Sequence, residues 1–93
     1  MSKAQEVAEE LEIVNPLGLH ARAASKLVSL ANKFGSDVYL AKGETEVNAK
    51  SMLGVLMLAC AKGSRVRLRC VGADAQACLE ALAGLVRAGF GEI

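Results

Sequence analysis

At 93 residues the chain has room for one core of ordinary size, so residues 1–93 read as a single domain. A hydrophobic content of 53% argues against a disordered segment; 11 basic against 10 acidic residues, with only Tyr39, Phe34 and Phe90 as aromatics, argue against nucleic acid as a partner. Residues 1–6 are polar and lack the apolar centre of a leader peptide, and the longest apolar run, 55–61, is too short to cross a bilayer. A cytoplasmic protein with a flexible lead over 1–6 and no membrane insertion is the expectation.

In residues 7–14, Val7, Leu11 and Ile13 share one parity and Glu10 and Glu12 the other, which predicts a half-buried strand, although Glu9 breaks the pattern. Asn15, Pro16 and Gly18 predict a turn. Ala24, Leu27, Val28, Ala31 and Phe34 then recur at helical spacing until Gly35. Val38 and Leu40 alternate with Tyr39 over 37–41; Lys42, Gly43 and Glu44 form a turn, and 45–47 return as the second arm of a hairpin. Ser51 is an N-cap residue for an apolar helix over 52–61, stopped by Gly63. Residues 65–71 alternate strictly, Arg65, Arg67 and Arg69 against Val66, Leu68 and Cys70. Asp74 then caps a last helix marked by Cys78, Leu82, Leu85 and Val86 and closed near Gly89. The order is βαββαβα, which predicts an α/β (α+β) open-faced sandwich with a four-stranded antiparallel sheet, one wet face and three helices on the other. The charged strand faces read as ordinary soluble surface.

Cys60, Cys70 and Cys78 are odd in number and have no CxxC spacing, so neither a disulfide framework nor a metal site follows from them; they read as core or half-buried thiols. Asp37 and Asp74 both read as cap or turn residues, leaving no support for a Ser-His-Asp hydrolase. No cofactor is called for. The one histidine, His20, falls where the first helix begins. There the imidazole stands beside the backbone N–H groups of Ala21, Arg22 and Ala23, the positive end of the helix dipole and the Arg22 guanidinium. A dianion suits such a place, and an imidazole in it can itself accept a phosphoryl group. The plainer reading is a helix cap in a ligand-binding or regulatory βαβ domain.

LGLHARAA (17–24) and NAKSMLGV (48–55), at this separation and within this order of elements, resemble the HPr family of histidine-containing phosphocarriers of the bacterial phosphotransferase system. The resemblance implies that His20 accepts a phosphoryl group that enzyme I draws from phosphoenolpyruvate and passes it to an enzyme IIA-type acceptor, with Arg22 contacting the phosphate. It makes the chain a protein substrate, not an enzyme, and a monomer. It matches Ser51 to the serine modified by HPr kinase/phosphorylase, beside its certain use as a cap. Leu19 and Ala21 with Met52, Leu53 and Leu56 are the expected docking patch, against the alternative that the last three are all core. One departure stands out: the family usually has proline after the arginine, where this chain has Ala23. The tail AGFGEI (88–93) is similar to that of the nitrogen-related branch, so the choice between that branch and sugar uptake stays open.

Overall fold

The computed structural model describes residues 5–92. Four strands, β1 (Gln5–Glu12), β2 (Asp37–Lys42), β3 (Thr45–Asn48) and β4 (Arg65–Gly72), form one antiparallel sheet in the order β1-β4-β2-β3. Three helices, α1 (Ala21–Ala31), α2 (Met52–Met57) and α3 (Ala75–Arg87), complete the expected βαββαβα order, and a short turn of 3₁₀ helix, Gly89–Gly91, follows α3. The alternation in β4 decides which face is wet. Val66, Leu68 and Cys70 are buried with Val38 and Leu40 of β2 and Leu11 of β1, and meet Leu27 and Leu82 from the helices. Burying such side chains contributes roughly 1.5–3 kcal/mol each, the main favourable contribution to a domain of this size.

The opposite face carries paired charges. Arg69 lies over the Tyr39 ring at 4.3 Å, bonds Glu46 through Nη2 at 2.8 Å and Nε at 3.1 Å, and reaches Glu6 at 3.6 Å. The Arg69 bond holds the Glu46 carboxyl below its ordinary range. Each exposed pair adds little to stability, so this face keeps the sheet open to water more than it holds the sheet together. Glu9, the residue out of pattern, lies on the helix side of the edge strand β1, where it pairs with Arg87 at the end of α3. All three cysteines are free and buried, and burial pushes the Cys70 thiol up to about 12.

Several boundaries differ from the sequence reading. Gln5 and Glu6 are not part of a flexible lead: they open β1, paired with Gly72 and Val71, while residues 1–4 lie outside the described ones. Helix α1 stops at Ala31, short of Phe34, because Lys33 and Phe34 bond three residues back in tight turns. Helix α2 has six residues where ten were expected. Its end tightens through Leu58 N–H to Val55 and Ala59 N–H to Leu56, Ala59 takes a left-handed φ of 54°, and Lys42 Nζ covers the Ala59 carbonyl at 3.0 Å. That early stop sets Cys60 beneath the turn before α1, where its carbonyl accepts the Leu19 N–H at 2.8 Å. Asp74 does not cap α3 with its side chain. The carboxylate instead accepts from the Gly35 and Ser36 N–H groups, both at 2.9 Å, and from the Ser36 hydroxyl, fastening the start of α3 to the end of the α1–β2 connection. These bonds, that of the Ser36 hydroxyl foremost, hold its carboxyl below the usual range.

Candidate functional site

The turn over 15–19 is held from two sides. Within it, the Gly18 N–H donates to the Asn15 carbonyl at 3.1 Å; outside it, the Leu19 bond to Cys60 pins its end. Gly18 has a φ of +64°, which glycine adopts without the strain a side chain would bring. The chain thereby delivers His20 to α1 as its N-cap, with φ −71° and ψ 176°. Nδ1 of His20 accepts the Arg22 backbone N–H at 3.3 Å, and the His20 carbonyl accepts the Ala24 N–H at 2.8 Å. Among the described residues no hydrogen bond uses the N–H of Ala21 or Ala23. Three amides and the positive end of the helix dipole therefore converge next to Nδ1, an arrangement that attracts phosphate oxygens.

Nε2, the other ring nitrogen, is 2.5 Å from Oε2 of Glu92, 72 residues away along the chain. The Asn15 amide donates to the other carboxylate oxygen of Glu92 at 3.0 Å. Glu92 is held below the ordinary carboxylate range by the Asn15 bond first, against its partial burial, and then by the bond to His20. Sequence reasoning missed this carboxylate. The segment carrying it folds back over α1 because Phe90 is buried at a φ of 57° and its carbonyl accepts from Lys26 Nζ at 2.6 Å. Pro16, Leu17, His20, Arg22 and Glu92 line an open cleft of about 470 Å³. A wider depression of about 790 Å³ on the open face of the sheet, among Glu10, Glu46, Arg65 and Arg67, holds none of these residues.

The chain from Val7 to Ala88 matches the family described as "PTS HPr component phosphorylation site", residues 7–88. The chain belongs to the HPr family. Phosphocarrier protein HPr of Neisseria meningitidis is 44% identical over 84 residues, covering 90% of this chain and 94% of that protein. Phosphocarrier protein NPr of Shewanella violacea is 45% identical over 83 residues, covering 89% and 91%. The crystal structure of an HPr from Thermoanaerobacter tengcongensis superimposes with a TM-score of 0.88 at 39% identity, covering 96% and 98%. The protein is thus a phosphocarrier of the phosphotransferase system, with the fold that family shares.

The remaining positions read from sequence divide. Ser51 caps α2, its Oγ accepting the Gly54 N–H at 3.2 Å. Ala21 and Arg22 are exposed, Leu53 is 69% exposed and Leu56 39%, while Met52 is half-buried against the core. Leu19 is a correction: it is buried, because the bond of its own N–H to Cys60 draws it beneath the 58–64 connection. Leu17 and Met57, both more than 70% exposed, were not anticipated. In an HPr relative, proline at the position of Ala23 would lack an N–H that here has no partner among the described residues. Ala23→Pro is therefore expected to raise the melting temperature by a few degrees, up to about 1 kcal/mol, by restricting the unfolded chain. Paired thermal melts check this; a fall would mean that the ring overfills the closed packing around Ala23.

Proposed function

We propose that His20 is the phosphoryl acceptor of this carrier, taking the group on Nδ1 from enzyme I charged by phosphoenolpyruvate and handing it to an enzyme IIA-type protein. The observation that carries the proposal is the position of Nδ1 at the start of α1, 3.3 Å from the Arg22 N–H, with the Ala21 and Ala23 amides alongside. On attack the Nδ1 lone pair releases that long bond, and the three N–H groups turn to the phosphoryl oxygens. The Arg22 guanidinium, a planar donor fork at the rim of the cleft, covers the charge from outside. The chain is a substrate of other enzymes with no turnover of its own, acts as a monomer and works in the cytoplasm; no helix among the described residues is long and apolar enough to cross a membrane. The test is incubation with enzyme I and labelled phosphoenolpyruvate. Acid-labile, base-stable phosphate on the protein supports the proposal, and no label defeats it. Light scattering checks the monomer against its mass of 9.7 kDa.

Leu17, Ala21, Leu53, Leu56 and Met57 leave apolar surface on α2 and beside the cleft, the kind of surface that docks protein partners. Ser51 is assigned a regulatory role for HPr kinase/phosphorylase, since phosphate on its Oγ adds nearly two negative charges next to Leu53. Ser51→Asp retains a capping acceptor at that place, so the fold is expected to hold while affinity for enzyme I falls at low salt. Calorimetric titration checks it, and equal affinity of mutant and wild type counts against regulation. A second reading, the nitrogen-related branch, rests on the tail AGFGEI (88–93), which is similar to that branch's. Comparing transfer from the donor enzymes of the two branches separates them.

A further inference from the structure

We propose that Asn15 is a positioning residue for phosphoryl transfer: it holds the Glu92 carboxylate against Nε2 of His20 and so leaves Nδ1 as the one ring nitrogen open to a phosphoryl group. The proposal rests on the phosphocarrier reading of His20 above. Asn15 is fully buried, and its Nδ2 donates twice, to the Gly18 carbonyl at 2.7 Å and to Oε1 of Glu92 at 3.0 Å. One amide therefore ties the turn before His20 to the segment after α3. The reverse orientation of this amide would set Oδ1 against two acceptors, so the donors must face Gly18 and Glu92. Oδ1 is then left buried without a partner among the described residues. An unpaired buried acceptor is destabilising, and an asparagine that serves only the fold has no reason to keep it.

The consequence for the ring follows from the donor and acceptor inventory. An ionised carboxylate only accepts, so Nε2 bears the hydrogen that Glu92 receives and Nδ1 keeps the lone pair. In the transfer, that lone pair forms the new P–N bond while the bond between phosphorus and the donor breaks and its electron pair returns to the donor atom. The proton on Nε2 stays in place, and the positive charge the ring acquires faces Glu92. In the onward transfer the electron pair returns to Nδ1 and the ring leaves as neutral imidazole, with no proton moved at either step. Arg22 and Lys26 are the cations of α1 on this side, and Lys26 anchors Phe90 independently of Asn15. Loss of the Asn15 amide therefore frees the Glu92 side chain without releasing the whole segment.

The test is phosphorylation of the full chain by potassium phosphoramidate, in which an imidazole nitrogen displaces ammonia from phosphorus, with ³¹P and ¹⁵N NMR reading which nitrogen carries the group. Wild type is expected to give the Nδ1 product. Asn15→Ala and Glu92→Ala are each expected to raise the Nε2 product about tenfold, as for loss of one charge-assisted hydrogen bond, and the double variant to give no more than either single one. Should Asn15→Ala fail to fold, Asn15→Asp takes its place, since it keeps the shape and turns a donor into a carboxylate opposite Glu92. A wild-type mixture, unchanged product ratios, or a folded Asn15 variant that keeps the Nδ1 product while Glu92→Ala loses it overturns the proposal. Failure of both Asn15 variants to fold also overturns it, by assigning Asn15 to the fold alone. The carrier reading fails separately: wild type that enzyme I and phosphoenolpyruvate cannot label defeats that reading, while the phosphoramidate ratios still report on Asn15.

Discussion

His20→Ala is expected to abolish phosphoenolpyruvate-dependent labelling, and Arg22→Ala to slow it without abolishing it. No second imidazole exists in the chain to take over the first role. The difference in degree follows from what each side chain supplies. In the proposed transfer Nδ1 forms the bond to phosphorus, whereas the Arg22 guanidinium adds one charge-assisted hydrogen bond to oxygens that face backbone amides. Losing that bond costs about 1.5–3 kcal/mol, roughly ten- to a hundredfold in rate. Arg22 is exposed and makes no ion pair among the described residues, so Arg22→Ala is expected to melt close to wild type, whereas His20→Ala loses the N-cap acceptor of α1 and the Glu92 contact and is expected to melt a few degrees lower. Rapid-quench measurement of label transfer from enzyme I, beside a thermal melt of each variant, checks the pair. Label on His20→Ala would move the chemistry to another residue.

What the sequence made legible was local. Strict alternation in β4 fixed both its parity and the wet face of the sheet, because a single slip would have turned three arginines into the core. Ser51 was readable because a cap needs only its own side chain and an amide three residues on. The length of α2 was not. The run from Val55 to Ala61 is apolar throughout, with no charge, glycine or proline to act as a stop signal, and the stop comes from Ala59 adopting a left-handed φ, which an alanine does not announce. Asp74 misled for a related reason: aspartate before a helix is a cap by statistics, but here three donors from the 35–36 turn hold its carboxylate more firmly than a helix amide does.

The candidate site was half legible. His20, Arg22 and the amides at the start of α1 lie within four consecutive residues, so one motif contains them. Glu92 joins His20 only through the folded-back segment after α3, which depends on Phe90 finding the core and Lys26 finding its carbonyl. Asn15 was visible only as a turn former, because nothing local distinguishes an exposed turn asparagine from a buried one that bridges to residue 92. For the same reason Leu19 was assigned to the surface: its burial is decided by a backbone bond to Cys60, 41 residues on.

Gly18→Ala is expected to be the most damaging small substitution near the site. A Cβ there would sit 2.4 Å from the Cys60 carbonyl oxygen and 2.9 Å from the Ala61 Cα, and both are backbone atoms that cannot rotate away. Its φ of +64° adds the left-handed penalty of about 1–2 kcal/mol, and relieving the overlap adds about 1–3 kcal/mol. Together these lower the melting temperature by about 10 °C or more in a domain of this size. Gly43→Ala isolates the two effects: its φ of +60° is nearly the same, but a Cβ there has nothing within 4 Å. It should therefore show the backbone penalty alone, about 1–2 kcal/mol, with labelling of His20 unchanged. Gly18→Ala should also transfer slowly at temperatures where it is still folded, because the turn that must give way is the one that delivers His20 to the helix start. Equal melting temperatures for the two variants would mean that the 58–64 connection yields freely, and that the placement of His20 does not depend on the packing of the 15–19 turn against Cys60.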